Sequence, residues 1–192
     1  MSDDGKPRSR ITSELLVGGS AVLIGVCALG VSLYEASLMR EEQRAAVIPL
    51  VELSRSYNWG TPDDPTRNAR LTLQAENVGI GPARIGDFRV TVDGVARTSW
   101  REAMQALLGT DGPIRYGQST INGRTIPPDR TVTMFNLGDV ELTRDIIEEF
   151  GRLDFEACFC SIFDECWTTS YSRFGTSEPI EACTPSEDSF LE

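Results

Sequence analysis

The hydrophobic positions of the chain follow two different patterns on either side of residue 46. The first pattern is an uninterrupted apolar run that begins at Leu15 and ends at Tyr34, bounded by Glu14 and Glu35. A helix of 20 residues rises about 30 Å, which matches the hydrocarbon core of a bilayer. The run therefore predicts one transmembrane helix, with the lipid bilayer as its partner from Leu15 to Tyr34. A buried helix of a globular domain rarely stays free of charge over this length.

The helix is expected to continue beyond the membrane. Residues 35–46 contain strong helix formers and neither glycine nor proline, so they extend the helix as a juxtamembrane segment. Within the apolar run, Ala21 and Gly25 are four residues apart and allow close packing against a second helix. Dimerisation through this face is one possibility, although such small-residue pairs also arise by chance.

Charge and cysteine usage predict the orientation. Residues 1–14 carry three basic residues, and the twenty residues that follow the apolar run carry two. This weak positive-inside bias places residues 1–14 in the cytoplasm and the following domain outside. Clustered cysteines in the last fifth of the chain suit an oxidising compartment. Because the sequence has no Asn-x-Ser/Thr site, the simplest location is the inner (plasma) membrane of a bacterium.

Two alternatives would remove the anchor. A signal peptidase could use the small-x-small pattern of Ala28 and Gly30, although this cut would fall inside the apolar run. A lipoprotein signal would use Cys27, but Val26 stands before it where a small residue is expected. An uncleaved anchor is the favoured reading.

From residue 47 the hydrophobic period becomes that of β-strands. Leu71, Leu73 and Ala75 alternate with polar residues, and Asp93-Gly94 is a strong signal for a two-residue hairpin. Loops are expected at 54–68 and 109–122, a turn with positive-φ glycines at 77–83, and a loosely held acidic tail at 176–192. The strands are predicted at 47–53, 70–76, 84–93, 95–98, 131–137, 153–162 and 166–172, with helices at 99–108 and 142–150.

The expected fold is an N-terminal transmembrane helix followed by a mainly-β domain with one or two short helical inserts. Short strands separated by turns, without βαβ alternation, favour an antiparallel sandwich over residues 47–175. Two passages carry a resemblance: residues 77–83 (NVGIGPA) and 126–132 (IPPDRTV). They resemble immunoglobulin-like β-sandwich modules of bacterial envelope proteins, and the layout resembles uncharacterised bacterial single-pass membrane proteins. The resemblance implies a fold and brings no catalytic residues with it.

Composition limits the function. Beyond residue 34 the chain has 26 acidic and 15 basic residues, which argues against nucleic acid as a partner. Histidine is absent, so the commonest general base and zinc ligand are missing. No nucleophile motif or phosphate loop is present. We therefore expect a non-catalytic protein without a cofactor or a metal.

Four cysteines are expected to form structural disulfides: Cys158, Cys160, Cys166 and Cys183. They allow three pairings. The favoured one joins Cys160 to Cys166 across a hairpin and Cys158 to Cys183 in the tail. A four-cysteine zinc site is an alternative, although the paired C-x₂-C spacing is absent. A redox-active pair of Cys158 and Cys160 is another, although it would lie in mid-strand rather than at a helix N-terminus.

Aromatic residues in the loops are the best candidates for binding. Tyr57 and Trp59 lie in the predicted loop 54–68, and Tyr116 lies in the loop 109–122. The alternative is that these rings fold back onto the core. The leading hypothesis is a membrane-anchored extracytoplasmic interaction or structural module that contacts an envelope protein or itself. The alternative function is an envelope redox or other enzyme that uses Cys158 and Cys160.

Overall fold

The chain divides into two compact units, Met1–Ala45 and Ala46–Glu192. The computed structural model describes residues 8–58, 69–138, 140–173, 175–186 and 188–192. The described residues of the first unit form the helix α1 (Arg8–Ala45), which is continuous through the predicted juxtamembrane segment and begins before the predicted start at residue 15. Its stretch Leu15–Arg44 is long and apolar enough to cross a membrane, and none of that stretch is buried in the protein.

The second unit is a mainly antiparallel β-sheet domain with short helices. Two 3₁₀ turns, Phe150–Arg152 and Tyr171–Arg173, complete its regular structure in the described residues. Its elements are β1 (Val51–Asn58), β2 (Arg70–Asn77), β3 (Ala83–Val92), β4 (Val95–Arg97), α2 (Trp100–Leu108), β5 (Gly117–Gln118), β6 (Thr125–Ile126), β7 (Arg130–Leu137), α3 (Val140–Glu149), β8 (Leu153–Cys160), β9 (Cys166–Ser170) and β10 (Ser177–Ile180).

The strands form two sheets that contribute to one hydrophobic core. The smaller sheet has the order β1-β2-β7-β5, and the larger has the order β10-β9-β8-β3-β4, with β6 also paired to β3. Leu71, Leu73 and Ala75 of β2 are all buried, so the predicted alternation is confirmed. The larger sheet and α2 complete the core, chiefly through Phe88, Val90, Trp100, Met104, Phe155 and Phe159.

Local sequence signals account for the connections around β3 and α2. Asp93 and Gly94 both have positive φ, at 53° and 75°, which is the conformation of the predicted two-residue hairpin. The hydroxyl of Ser99 accepts a hydrogen bond from the Glu102 amide and caps α2. α2 buries Trp100, Ala103, Met104 and Leu107 against the core.

The first strand lies further along the chain than predicted. β1 begins at Val51, not at residue 47, and it includes residues 54–58, which were predicted as a loop. These polar residues pair with β2 in unbroken register as far as Asn58 opposite Arg70. Because an antiparallel sheet can have one face in water, the half-buried to exposed side chains of these residues can remain polar. Pairing with a strong neighbouring strand therefore overrides the weak local preference.

The glycines of the turn at 77–83 serve a different purpose from the predicted one. Gly79 and Gly81 do not have positive φ. A Cβ atom on either glycine would instead collide with the backbone of residues 47–50, which passes close by. The side chain of Asn77 is buried there and donates to the carbonyl oxygens of Gly81 and Ile126 at 2.8 and 2.9 Å. The glycines are therefore required for close backbone approach.

The expectation of a loosely held tail at 176–192 is wrong for the described residues. β10 extends the larger sheet by pairing with β9. Phe190 is 1% exposed and packs against Phe88 and Trp100, with ring centroids at 5.5 and 4.9 Å. Its amide donates to the Phe88 carbonyl at 2.8 Å. The C-terminal segment is thus part of the domain core.

Candidate functional site

Four cysteines lie together on one face of the larger sheet. Cys158 and Cys160 flank Phe159, whose side chain is fully buried in the core. Because neighbouring residues of a strand point to opposite faces, both cysteines project from the outer face. Cys166 of β9 stands directly opposite Cys160. Cys183 comes from the C-terminal segment after β10 and reaches the same face.

The sulfur atoms lie at disulfide-bonding distance in two pairs. Cys158 pairs with Cys183 at a Cα–Cα distance of 5.6 Å, and Cys160 pairs with Cys166 at 4.0 Å. This is the pairing that the sequence favoured. Cys158 and Cys160 are not bonded to each other, so a C-x-C disulfide is not formed in this structure.

Gly86 makes room for the disulfide between Cys158 and Cys183, whose partners are 25 residues apart in the sequence. The pairing between β3 and β8 contains an irregularity between Ile85 and Asp87, and Gly86 lies at that point. A Cβ atom on Gly86 would stand 2.5 Å from the Cβ atom of Cys183. The absence of a side chain at Gly86 therefore lets the C-terminal segment lie flat against the sheet. Nothing in the local sequence distinguished this glycine.

The two disulfide-bonded cysteine pairs also lie close to each other. The Sγ atoms of Cys160, Cys166 and Cys183 all lie within 4.8 Å of one another. Free thiolates in this arrangement would suit a soft metal ion such as Zn²⁺. Bonded cysteines offer no thiolate, so the paired state is incompatible with such a site.

Charged side chains beside the cysteines neutralise one another. Arg89 lies 3.5 Å from a carboxylate oxygen of Asp87 and 2.5 Å from one of Glu156. Glu156 also meets Arg173 at 3.1 Å, and Arg173 meets Glu178 at 2.7 Å. A cavity of about 310 Å³ borders Asp87, Glu156 and two of the cysteines. The charged residues beside this cavity form ion pairs with one another and with Arg173, which favours a structural role for them.

A second cavity, of about 600 Å³, lies between α2 and α3. Asp145, Glu148 and Glu149 give its wall an acidic character. Arg152 at its border donates to Glu149 at 3.1 Å and to Asp93 at 2.6 Å. The Arg152 guanidinium lowers the pKa of the Asp93 carboxyl group by hydrogen bonding to it. This arrangement clamps the β3–β4 hairpin to the end of α3.

The two candidate binding aromatics that the structure describes, Tyr57 and Tyr116, do not form a common site. Tyr57 is 45% exposed near the end of β1, and the guanidinium of Arg55 lies 5.3 Å from its ring centre. A shallow cavity of about 330 Å³ lies beside Tyr57. Trp59 lies outside the described residues. β1 and β5 are opposite edges of the smaller sheet, so Tyr57 and the Tyr116 that precedes β5 are far apart in that sheet.

Tyr116 is folded back onto the core. It is half-buried, and its ring centre lies 5.2 Å from that of Phe135. Its hydroxyl donates to the carboxylate of Glu192 at 3.3 Å. Burial raises the pKa of the Tyr116 hydroxyl, and the nearby Glu192 carboxylate adds to the effect. This ring therefore serves the domain interior more than a binding surface.

An exposed apolar patch was not identified from the sequence. It consists of Ile48, Leu50, Val78 and Ile80, which are 42%, 37%, 40% and 65% exposed. The amide of Ile80 donates to the carbonyl of Ile48, and that of Val78 donates to Leu50, so the two segments run side by side. Residues 48 and 50 are exposed while Pro49 between them is buried, and residues 78 and 80 are exposed beside them. The signal in the sequence was the surplus of hydrophobic residues in 47–51, where a half-buried strand would alternate.

Comparison with known proteins adds no family. No protein-family model matches the chain, and no curated protein matches it.

Proposed function

We propose that this protein is a membrane-anchored module of the bacterial cell envelope, with an immunoglobulin-like β-sandwich domain outside the cytoplasm. Its role is to contact another envelope protein or a second copy of itself. The observation that carries the proposal is the exposure of the apolar residues along α1, none of which is buried in the stretch Leu15–Arg44. Apolar surface of this extent is costly in water, and a bilayer removes that cost.

The location outside the cytoplasm is supported by the cysteines. Two pairs of sulfur atoms stand at disulfide-bonding distance in the domain, and such bonds persist in oxidising compartments. The sandwich arrangement is supported by the two antiparallel sheets, whose side chains contribute to a single core. The resemblance of residues 77–83 and 126–132 points in the same direction.

The contact function is supported by the apolar patch. Four apolar side chains on adjacent segments remain exposed, and clustered exposed apolar residues commonly mark contacts with other proteins. A non-catalytic role is supported by the pairing of Cys158 and Cys160, which are bonded to other cysteines and not to each other as a redox-active C-x-C pair would be.

The anchoring is tested by placing an arginine in the helix. Leu23→Arg puts a charge at the middle of the apolar run, where insertion costs about 2.5–3.5 kcal/mol. Leu38→Arg is the matched control, since it lies on the same helix beyond the run. We expect carbonate extraction to release the Leu23→Arg protein and to leave the parent and the control in the membrane pellet. Release of the parent itself would refute the anchor.

The orientation is tested by labelling in spheroplasts with a membrane-impermeant maleimide, before and after treatment with an impermeant phosphine. We expect the four domain cysteines to react only after reduction. Failure to label after reduction, while lysed cells do label, would place the domain in the cytoplasm.

The contact function is tested by chemical crosslinking in intact cells. Ile80→Asp places a charge in the apolar patch. Val95→Asp is the matched control, because it places the same charge at an exposed valine of β4 (55% exposed) outside the patch. We expect a discrete crosslinked species with the parent and with the control, and its loss with Ile80→Asp. An unchanged species in the Ile80→Asp protein would remove the patch from the proposal.

A further inference from the structure

We infer that the two cysteine pairs form one thiol–disulfide exchange site, in which a thiolate released from either pair attacks the other. The basis is the proximity of sulfur atoms that belong to different pairs. Cys183 Sγ, which is bonded to Cys158, lies within 4.8 Å of the Sγ atoms of both Cys160 and Cys166. The approach of a thiolate to a disulfide sulfur is the geometric requirement of exchange.

The sheet holds these sulfur atoms in place. Cys158 and Cys160 share one face of β8, and Cys166 is fixed opposite Cys160 by the strand register. Cys183 is seated over Gly86, where no side chain separates it from the sheet. Holding two reacting groups together in this way raises the rate of their reaction far above that between separate molecules.

The exchange is redox-neutral and needs only a catalytic amount of an external thiol. The external thiolate attacks Cys166 Sγ, forms a mixed disulfide there, and Cys160 leaves with the electron pair. The Cys160 thiolate attacks Cys183 Sγ, so the Cys160–Cys183 bond forms, the Cys158–Cys183 bond breaks, and Cys158 leaves as a thiolate. Cys158, a diagonal neighbour of Cys166 in the β8–β9 register, then attacks Cys166 Sγ and returns the external thiolate. Two disulfides are present before and after.

The consequence is a movable attachment for the C-terminal segment. Cys158–Cys183 ties this segment to β8 a few residues before Phe190 enters the core. Exchange transfers the tie to Cys160, two residues further along the same strand. Small thiols or the exposed thiolate of a thiol–disulfide reductase are the class of partner that would start the transfer. This chemistry does not depend on the anchoring proposed above, and its test gives the same answer in detergent or in membranes.

The test releases one thiolate at a time in the full-length chain, with Cys27→Ser present throughout. In Cys166→Ser, the thiol is released at Cys160. In Cys158→Ser, it is released at Cys183. After folding without reductant and quenching in acid, the free thiol is alkylated and located by mass spectrometry. Fragmentation is required, because residues 153–173 form a single tryptic peptide that contains three of the cysteines.

We expect the thiol of the Cys166→Ser protein to be shared between Cys160 and Cys158, with about a tenth or more at Cys158, because the Cys160 sulfur lies close enough to Cys183 to compete with Cys158 for it. In the Cys158→Ser protein it should be shared between Cys183 and the hairpin cysteines. Near-UV circular dichroism checks that each variant is folded. If a variant does not fold, the parent chain is incubated with a trace of small thiol in its place. The Cys160–Cys183 disulfide is then looked for by mass spectrometry. A thiol that stays where it was released, or no new link in the parent, overturns the inference.

Discussion

Removal of the Phe190 side chain is the sharpest test of the role assigned to the C-terminal segment. Phe190 is 1% exposed and touches the rings of Phe88 and Trp100. Phe190→Ala would leave a cavity between these rings, and truncations of this kind cost about 3–5 kcal/mol. That loss is a large part of the free energy of unfolding of an ordinary domain, which is about 5–15 kcal/mol.

The expected change is large enough to measure by thermal unfolding. In a domain of this size, 1 kcal/mol corresponds to roughly 2–4 °C in Tm. Phe190→Ala should therefore lower Tm by about 10 °C. Unfolding is monitored by near-UV circular dichroism of the full-length chain in detergent. Leu191→Ala is the matched control, because Leu191 is adjacent to Phe190 in the chain and its side chain is 78% exposed. It should change the free energy of unfolding by less than about 0.5 kcal/mol.

Equal unfolding temperatures for Phe190→Ala and Leu191→Ala would refute the reasoning. They would mean that the segment contributes nothing to the core, as the loosely held tail inferred from composition would predict.

Three further perturbations test other parts of the domain. Asn77→Ala should lower the free energy of unfolding by about 2–4 kcal/mol in chemical denaturation, since it strips two buried carbonyl oxygens of their donor; a loss under 1 kcal/mol would contradict the role given to this side chain. Gly81→Ala should destabilise the domain by about 1–3 kcal/mol through collision with the passing backbone, whereas Gly151→Ala meets no neighbour and should be nearly neutral. Replacing Cys158 and Cys183 together by Ser opens a loop of 25 residues and should cost about 3 kcal/mol. An unchanged denaturation midpoint in that double variant would show that the bond does not form in the folded chain.

Features governed by neighbouring residues were predictable from the sequence. The Asp93-Gly94 turn needs two adjacent residues that tolerate positive φ, and the Ser99 cap needs a hydroxyl beside the first turn of a helix. The alternation of β2 is likewise a property of a short stretch, since its period is two residues. Their physical causes act over a few bonds, so tertiary structure did not alter them. Most other strand and helix ends lie within two residues of their predicted positions.

Features governed by distant partners were missed. Residues 54–58 have no strong preference for a strand and become one because β2 offers them a hydrogen-bonding edge. The glycines at 79 and 81 are explained only by the backbone of residues 47–50, which approaches them from another part of the chain. For Tyr116 the sequence left both a binding surface and the core open, and its contact with Phe135 decides for the core.

The cysteines show where the two kinds of information meet. Their clustering and the hairpin between Cys160 and Cys166 are local, so the sequence could favour a pairing. The proximity of Cys183 to three other sulfurs depends on how the C-terminal segment returns across the sheet at Gly86. An apolar helix, an alternating strand and a tight turn follow from residue type and short-range sterics. The buried position of Phe190 and the proximity of the two disulfide pairs depend on contacts between residues far apart in the chain. Only the folded domain brings these residues together.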